Sequence, residues 1–530
     1  MAQKTILSGR VVTMDARDTV HPQGAVYLDG NTIVAVKPAR AAAPPGFASV
    51  KPVATDGTIY PGLIELHNHL AYNALPLWDV PAKYTNRDQW GRIADYRKLV
   101  SGPMQVLGHS DAMPALIRYV EAKCLLGGVT TTQGIELYSN HGARRYYRGL
   151  VRNVEQTDDG ELPEAATKIS DVEASTAAAF LARLQGGHQL ILHLAEGTDD
   201  AARAHFLALH INPKTWAITP RLVGIHCAAL EKADFAVFRK HGGSMVWSPL
   251  SNLLLYGATA RIGDAKAAGL TIALGSDWSP SGSKNLLGEL KAARHSAPKL
   301  GDRDIVAMAT RSAARMLGWE KLLGSLEAGH RGDLVVIHGT QGDAYASLIG
   351  ASEKDLDLVM IDGTARVGAP ALMERLGTVS ERLTVGGAAR ALNLIDPAAD
   401  PLVANLTLGD ATAQLKAALR DLPRLAKEQE ADAARPRSVA EIAAAPPRWF
   451  LALDEIQESG LELRPRLGKS DGDAGPRIAS PLAAAVPLSE VLGPIALGAP
   501  TACDDTTFLD TLAAERNLPA GLGAEIAKAY

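Results

Sequence analysis

Apolar positions in this chain come in short runs, and most runs stop at a turn residue or a polar group. Near the start, residues 6–14 and 24–36 read as short strands, with Asp29-Gly30-Asn31 as a hairpin signal. Residues 332–337 and 358–367 have the same character. Between these flanks, strand and helix patterns alternate. Residues 111–127 have an acidic start and a Gly-Gly stop, which predicts a helix feeding a strand at Val129-Thr130-Thr131-Thr132. Residues 149–155 are a further strand candidate. Four apolar runs end in polar groups: residues 61–69 at His67-Asn68-His69, 189–193 at His193, 221–226 at His226, and 270–277 at Asp277. His193 and His226 lie 33 residues apart, one strand-helix unit. The 51 residues from His226 to Asp277 leave room for a strand at Ser244-Met245-Val246-Trp247. Repeated strand-helix units with polar groups at the strand ends predict an α/β fold, a (β/α)8 barrel with its chemistry at that face.

Beyond residue 385 the pattern changes. Residues 410–433 read as an amphipathic helix and 505–518 as a short capped helix. Pro446-Pro447 and residues 468–476 read as linkers. No catalytic constellation falls in this stretch, so it is expected to pack on the barrel or mediate assembly into a homo-oligomer.

Size and composition narrow the classes. A chain of 530 residues suggests two or three domains, and 47% hydrophobic content is ample for large cores. A formal net charge of −4 argues against a general nucleic-acid or membrane binder. Cys124, Cys227 and Cys503 are far apart and odd in number, which is no disulfide framework and points to a cytoplasmic protein. The N-terminus lacks the apolar core of a signal peptide, and no run is long enough for a membrane span.

The candidate chemistry begins at His67 and His69. If their run is a strand, its period of two points both imidazoles the same way, half of a site for zinc or another divalent metal. The other three run ends offer the rest. Cys227 adjoins His226, but strand neighbours point to opposite faces, so it is expected to be a buried thiol.

H-x-H, then His, His and Asp, each at a run end, resembles the amidohydrolase superfamily of metal-dependent hydrolases. His193-Leu194-Ala195-Glu196 resembles the mononuclear H-x-x-E branch, which holds cytosine deaminase, guanine deaminase, imidazolonepropionase and triazine hydrolases. Trp247-Ser248-Pro249-Leu250-Ser251-Asn252 and Gly275-Ser276-Asp277 resemble that branch too. The resemblance covers about residues 1–385. It implies a composite β-sandwich from residues 1–60 and 326–385, a catalytic barrel over 61–325, and an extension over 386–530. It also implies one divalent metal, zinc or iron, held by His67, His69, His193 and Asp277. Glu196 is then the proton shuttle, His226 hydrogen-bonds the attacking oxygen or polarises the substrate, and Asp277 also accepts a proton. Binuclear relatives bridge two metals with a carboxylated lysine on the fourth strand. Residues 149–155, read as that strand, hold no lysine, which favours one metal.

The resemblance leaves the substrate open. The expected reaction is hydrolysis of a non-peptide C–N bond, by deamination of a heterocycle or opening of a cyclic amide. One alternative is a binuclear amidase or lactonase with Glu155 bridging and His226 as a ligand. Another is a non-catalytic metal-binding scaffold. Tyr72, Trp78, Tyr84, Trp90 and Tyr96 place five of the chain's 26 aromatics within 25 residues. They suit a cover over a planar small molecule, with Trp78 and Tyr84 as candidate contacts, or packing on the rim. Ser251 and Asn252, beside Ser248, are candidates to hydrogen-bond substrate or to shape a loop. Arg144, Arg145, Arg148 and Lys284 suit either an anionic group or a solvated loop.

Overall fold

The computed structural model describes residues 4–168, 171–435, 441, 444–453 and 486–530. The first four strands are β1 (Lys4–Val12), β2 (Val20–Asp29), β3 (Thr32–Pro38) and β4 (Val53–Pro61). β2 and β3 form a hairpin with Asp29 opposite Thr32, and its turn uses Gly30 at φ 61°.

Strands and helices then alternate. β5 (Leu63–Ile64), β6 (Val129–Thr132) and β7 (Arg152–Asn153) pair in parallel. β8 (Ala165–Lys168), β9 (Gln189–Leu194), β10 (Leu222–His226), β11 (Ser244–Trp247) and β12 (Ile272–Leu274) form a second parallel set in chain order. Backbone hydrogen bonds join the sets at both edges. Ala165 N donates to Val154 O at 2.8 Å, and Asp277 N donates to His67 O at 2.9 Å. β10, β11 and β12 are buried throughout, as parallel strands covered on both faces must be. Inward positions such as Ile64, Leu66, Ile191, Val223, Ile225 and Val246 share one apolar cluster. Trp319 belongs to it, and its Nε1 donates to Pro163 O at 2.9 Å just before β8, sealing the N-terminal ends of the strands.

The strand expected at residues 149–155 shortens to β7 and is third in this order, not fourth. The fourth is β8, too short and weakly apolar to stand out, and it ends on Lys168. The absence of lysine from residues 149–155 therefore carries no argument about metal count.

The last strands of the large sheet are β13 (Leu334–His338), β14 (Leu356–Ile361), β15 (Thr364–Gly368), β16 (Glu381–Val385) and β17 (Ala388–Leu392). With β1–β4 they make one nine-stranded sheet, ordered β16-β17-β15-β14-β13-β4-β1-β2-β3. The flanks meet where β13 runs antiparallel to β4, and β17 carries the sheet past residue 385.

The helix expected at residues 410–433 is two helices, Leu408–Arg420 and Leu422–Ala434. Pro423 sits in the first turn of the second, where its missing N–H costs nothing but cannot continue the first. Pro446-Pro447 leads into a strand, Trp449–Leu451, paired with Glu136–Ser139. The linker expected at residues 468–476 lies outside the described residues. Asp505 caps the helix Thr506–Ala514, accepting from Phe508 N at 3.0 Å. Among the described residues, no helix is long and apolar enough to cross a membrane.

Candidate active site

β5 stops at Ile64, so H-x-H lies in the segment after the strand rather than within it. The segment is held by the last strand of the set. His69 N donates to Asp277 O at 2.6 Å, and Asn68 bridges Asp277 in parallel. A Cβ on Gly275 would stand 2.4 Å from His67 Cβ, so only glycine permits this approach. Buried Glu65 staples the two segments. It accepts from Ser276 N at 2.9 Å, from Ser276 Oγ, and from Asn68 Nδ2 at 2.9 Å, while burial raises its carboxyl.

His193 lies in β9 and His226 ends β10. Ala195, His226, Cys227 and Asp277 are four of the nine non-glycine residues at positive φ among the described residues, with φ between 50° and 67°. Each such residue costs about 1 kcal/mol or more, and their clustering at these strand ends marks a site the fold over-determines.

The polar groups converge. His67 Nε2 is 3.0 Å and His69 Nε2 is 3.4 Å from Asp277 Oδ1, and the Nε2 atoms of His69 and His193 are 3.3 Å apart. His67, His69 and Asp277 could share a metal ion, as could His67, His193 and His226, each trio with ligand atoms within 4.8 Å of one another. Both ring nitrogens of fully buried His67 lack a hydrogen-bond partner, and Nε2 stands within ion-pair distance of Asp277 Oδ1. Orphaned buried nitrogens are costly unless something else binds them, and several ligands aimed at one point is the arrangement a metal satisfies. Burial lowers His67 to about 4 and holds His193 well below its usual value. Burial alone would raise Asp277, but His67, then His69 and His226, hold it well below the usual carboxylate range. Neutral imidazoles beside an ionised carboxylate are the protonation states a divalent metal requires.

Glu196 follows β9, with Oε2 3.7 Å from His226 Nε2 and 3.7 Å from Arg87 Nη1. One helix, Pro249–Tyr256, supports three of these groups. Ser251 Oγ donates to Asp277 Oδ2 at 2.6 Å, Asn252 Oδ1 lies 2.8 Å from His226 Nδ1, and Tyr256 OH donates to Glu196 Oε1 at 2.7 Å. Ser251 and Asn252, expected to meet substrate or shape a loop, thus direct these polar atoms to site residues. Glu155 accepts from Gly134 N at 2.8 Å and Thr167 Oγ1 at 2.5 Å, and neither ligand trio includes it. Cys227 is buried beside His226, outside both trios, and burial pushes its thiol up.

Aromatic rings pack beside His69. Trp278, which the sequence reading missed, lies 5.5 Å from His69 and within 6.2 Å of Tyr72, Trp90 and Tyr96. Trp78 is buried and meets Tyr96 of this group at 6.1 Å. Tyr84 is half-buried, and its backbone N donates to Leu255 O at 2.8 Å. Tyr256 was also missed, though it shares a helix face with Asn252 four residues earlier. Arg144, Arg145, Arg148 and Lys284 pair with Glu136, Asp400, Asp158 and Asp505, so each cation already has an internal partner.

A strand-helix scaffold with a His-rich cluster at its strand ends defines a class, and comparison with known proteins names it. The amidohydrolase family model matches residues 58–366, more than half of the chain. The chain belongs to the amidohydrolase family. A 5-methylthioadenosine/S-adenosylhomocysteine deaminase of Symbiobacterium thermophilum is 26% identical over 419 residues, covering 68% of this chain and 93% of that protein. An S-triazine hydrolase of Gordonia rubripertincta is 32% identical over 125 residues, 22% of this chain and 26% of that one. Among solved structures, atrazine chlorohydrolase TrzN from Arthrobacter aurescens, complexed with zinc, superposes with a TM-score of 0.52 at 20% identity, over 68% of this chain and 94% of that chain. Guanine deaminase from Bradyrhizobium japonicum superposes with a TM-score of 0.53 at 17% identity, over 68% and 99%.

Proposed function

We propose that this protein is a metal-dependent hydrolase that cleaves a non-peptide C–N bond of a planar heterocycle, by deamination or cyclic amide opening. The observation that carries it is the convergence of H-x-H, His193 and Asp277 around the orphaned nitrogens of His67, with Glu196 and His226 beside them. In this reading the parallel strands close as a (β/α)8 barrel, and the site occupies its C-terminal face. His67, His69, His193 and Asp277 hold one divalent metal, for which zinc suits the imidazole-rich donor set. When bound, the metal polarises the substrate and makes a water acidic enough to lose a proton near neutral pH.

The chain's own residues do the rest. Glu196 accepts the proton of the attacking water through Oε2, since Tyr256 occupies Oε1. It then hands that proton to the departing nitrogen, so a C–N bond is exchanged for a C–O bond and water is consumed. His226, oriented by Asn252, hydrogen-bonds the oxygen that becomes negative as the carbon turns tetrahedral. Trp278, Trp90 and Tyr96 suit a flat ring at the entrance. The deaminase and triazine-hydrolase relatives support a heterocyclic substrate, with aminopurine nucleosides as the first class to test.

The test is elemental analysis of the purified protein. Metal-replete enzyme is then screened with 5-methylthioadenosine, S-adenosylhomocysteine, guanine, amino- and chlorotriazines and cyclic amides for released ammonia, chloride or acid. Metal-dependent ammonia release that Glu196→Gln abolishes is expected. A metal-free protein, or turnover indifferent to Glu196, would overturn the reading.

A further inference from the structure

The helix Pro249–Tyr256 touches Asp277, His226 and Glu196 through Ser251, Asn252 and Tyr256, so whatever holds that helix holds the site. Its last carbonyls have no partner within the helix. One of them, Leu254 O, accepts a hydrogen bond at 2.8 Å from Nδ2 of Asn517. The same Nδ2 lies 3.1 Å from Ala82 O and 3.4 Å from Val80 O. Those two carbonyls belong to the aromatic segment that runs from Tyr72 to Tyr96. One buried amide thus links the helix beside Asp277, His226 and Glu196 to the aromatic segment that packs against His69.

The surroundings agree. Phe508, Leu512 and Leu518 share one apolar cluster with Leu77 of the aromatic segment and with Leu250 and Leu254 of the helix. Asp505 pairs with buried Lys284, in the loop that follows Asp277. Asn517 lies far outside residues 58–366, the part of the chain the family defines.

We propose that Asn517 is a positioning residue: through it, the C-terminal segment holds the aromatic segment and the helix Pro249–Tyr256 in fixed relation over Glu196, His226 and Asp277. The proposal rests on the reading that those three residues act in catalysis, but its main test needs no turnover. An amide supplies the N–H that these carbonyls need inside an apolar cluster. An aspartate of the same shape supplies only acceptors, and a leucine supplies neither.

The experiment is hydrogen exchange by mass spectrometry on the full-length, zinc-loaded protein, comparing the parent with Asn517→Asp and Asn517→Leu. In both variants, exchange should rise about tenfold in peptides covering residues 77–84 and 249–256. Zinc per chain and exchange in β9 and β10 should stay at parent values. With any heterocycle the enzyme turns over, KM should rise more than kcat falls, because the entrance loosens before the proton transfers are lost. If only Asn517→Asp fails to fold, Asn517→Leu decides alone. Unchanged exchange in both segments would overturn the proposal. So would a uniform rise across the chain, which would make Asn517 a general stability residue. A protein with no hydrolase activity but the predicted local exchange would sink the functional reading and leave this one standing.

Discussion

At the residue scale, the proposed reacting groups and the residues that support them are different, and substitutions should separate them. Glu196→Gln keeps shape and hydrogen bonding but cannot carry a proton, so turnover should fall by about 10²–10⁴-fold with metal content unchanged. Lost metal with normal turnover per bound metal would make Glu196 a ligand instead. Tyr256→Phe removes only the hydroxyl that donates to Glu196 Oε1. A hydrogen bond to a charged group contributes about 1.5–3 kcal/mol, so kcat should fall about 10–100-fold without loss of zinc. An unchanged kcat would show that Glu196 keeps its place without Tyr256. The sequence made His67, His69, His193, Glu196, His226 and Asp277 legible because each sits in a short motif at the end of an apolar run. Tyr256 and Trp278 were not legible, because their meaning lies in contacts across space. Tyr256 is 60 residues from Glu196 along the chain.

At the element scale, legibility followed burial. β10 and β11 were readable because strands covered on both faces must be continuously apolar, whereas β8 carries too little apolar length to stand out. The C-terminal helices were visible as amphipathic patterns, but what they touch was not. That docking should depend on pH. Glu515 lies two residues before Asn517 and faces the aromatic segment. Its carboxylate oxygens are buried. Burial, then the neighbouring Asp79 carboxylate, push it up to about 7, against the lowering influence of a Val80 backbone hydrogen bond and Arg516. An acid raised in the native state binds protons more tightly folded than unfolded. Its contribution to docking is therefore complete below its ordinary value of 4.5 and is lost as pH rises through about 7. Hydrogen exchange over residues 77–84, corrected for intrinsic rates, should accelerate between about pH 5 and 7 in the parent and stay level in Glu515→Gln. Equal slopes in the two proteins would show that this carboxyl does not control the contact.

At the scale of the whole molecule, the proposed metal site and the C-terminal brace converge on the same strand ends, so disturbing either should be felt at both. Orphaned nitrogens on His67 and an ionised Asp277 in a buried cluster are costly without a cation. A ligand that binds only the native state stabilises it, by about 2.7 kcal/mol when free metal is about 100 times its Kd. Chelation should therefore lower the melting temperature by several degrees as well as abolish turnover, and zinc should restore both. Stoichiometry then decides between one metal and two. The ligand trios share His67 and exclude Glu155, so one zinc per chain is expected. Replacing Lys168, the residue on which the fourth strand ends, by methionine should leave that count unchanged. Two metals in the parent falling to one in Lys168→Met would establish a binuclear centre. The brace makes a different demand. Read from sequence alone, a chain ending at residue 385 keeps every reacting group and should keep the chemical step. In the folded molecule that cut removes β17, Asp505, the apolar partners of Leu250 and Leu254, and the amide on Leu254 O. Any such truncated protein that folds should still bind zinc at His67, His69, His193 and Asp277. Its turnover should fall at least as far as in Asn517→Asp, since it loses that amide together with its packing. A truncated protein that turns over substrate as fast as the full chain would show that the helix Pro249–Tyr256 keeps its place by barrel contacts alone.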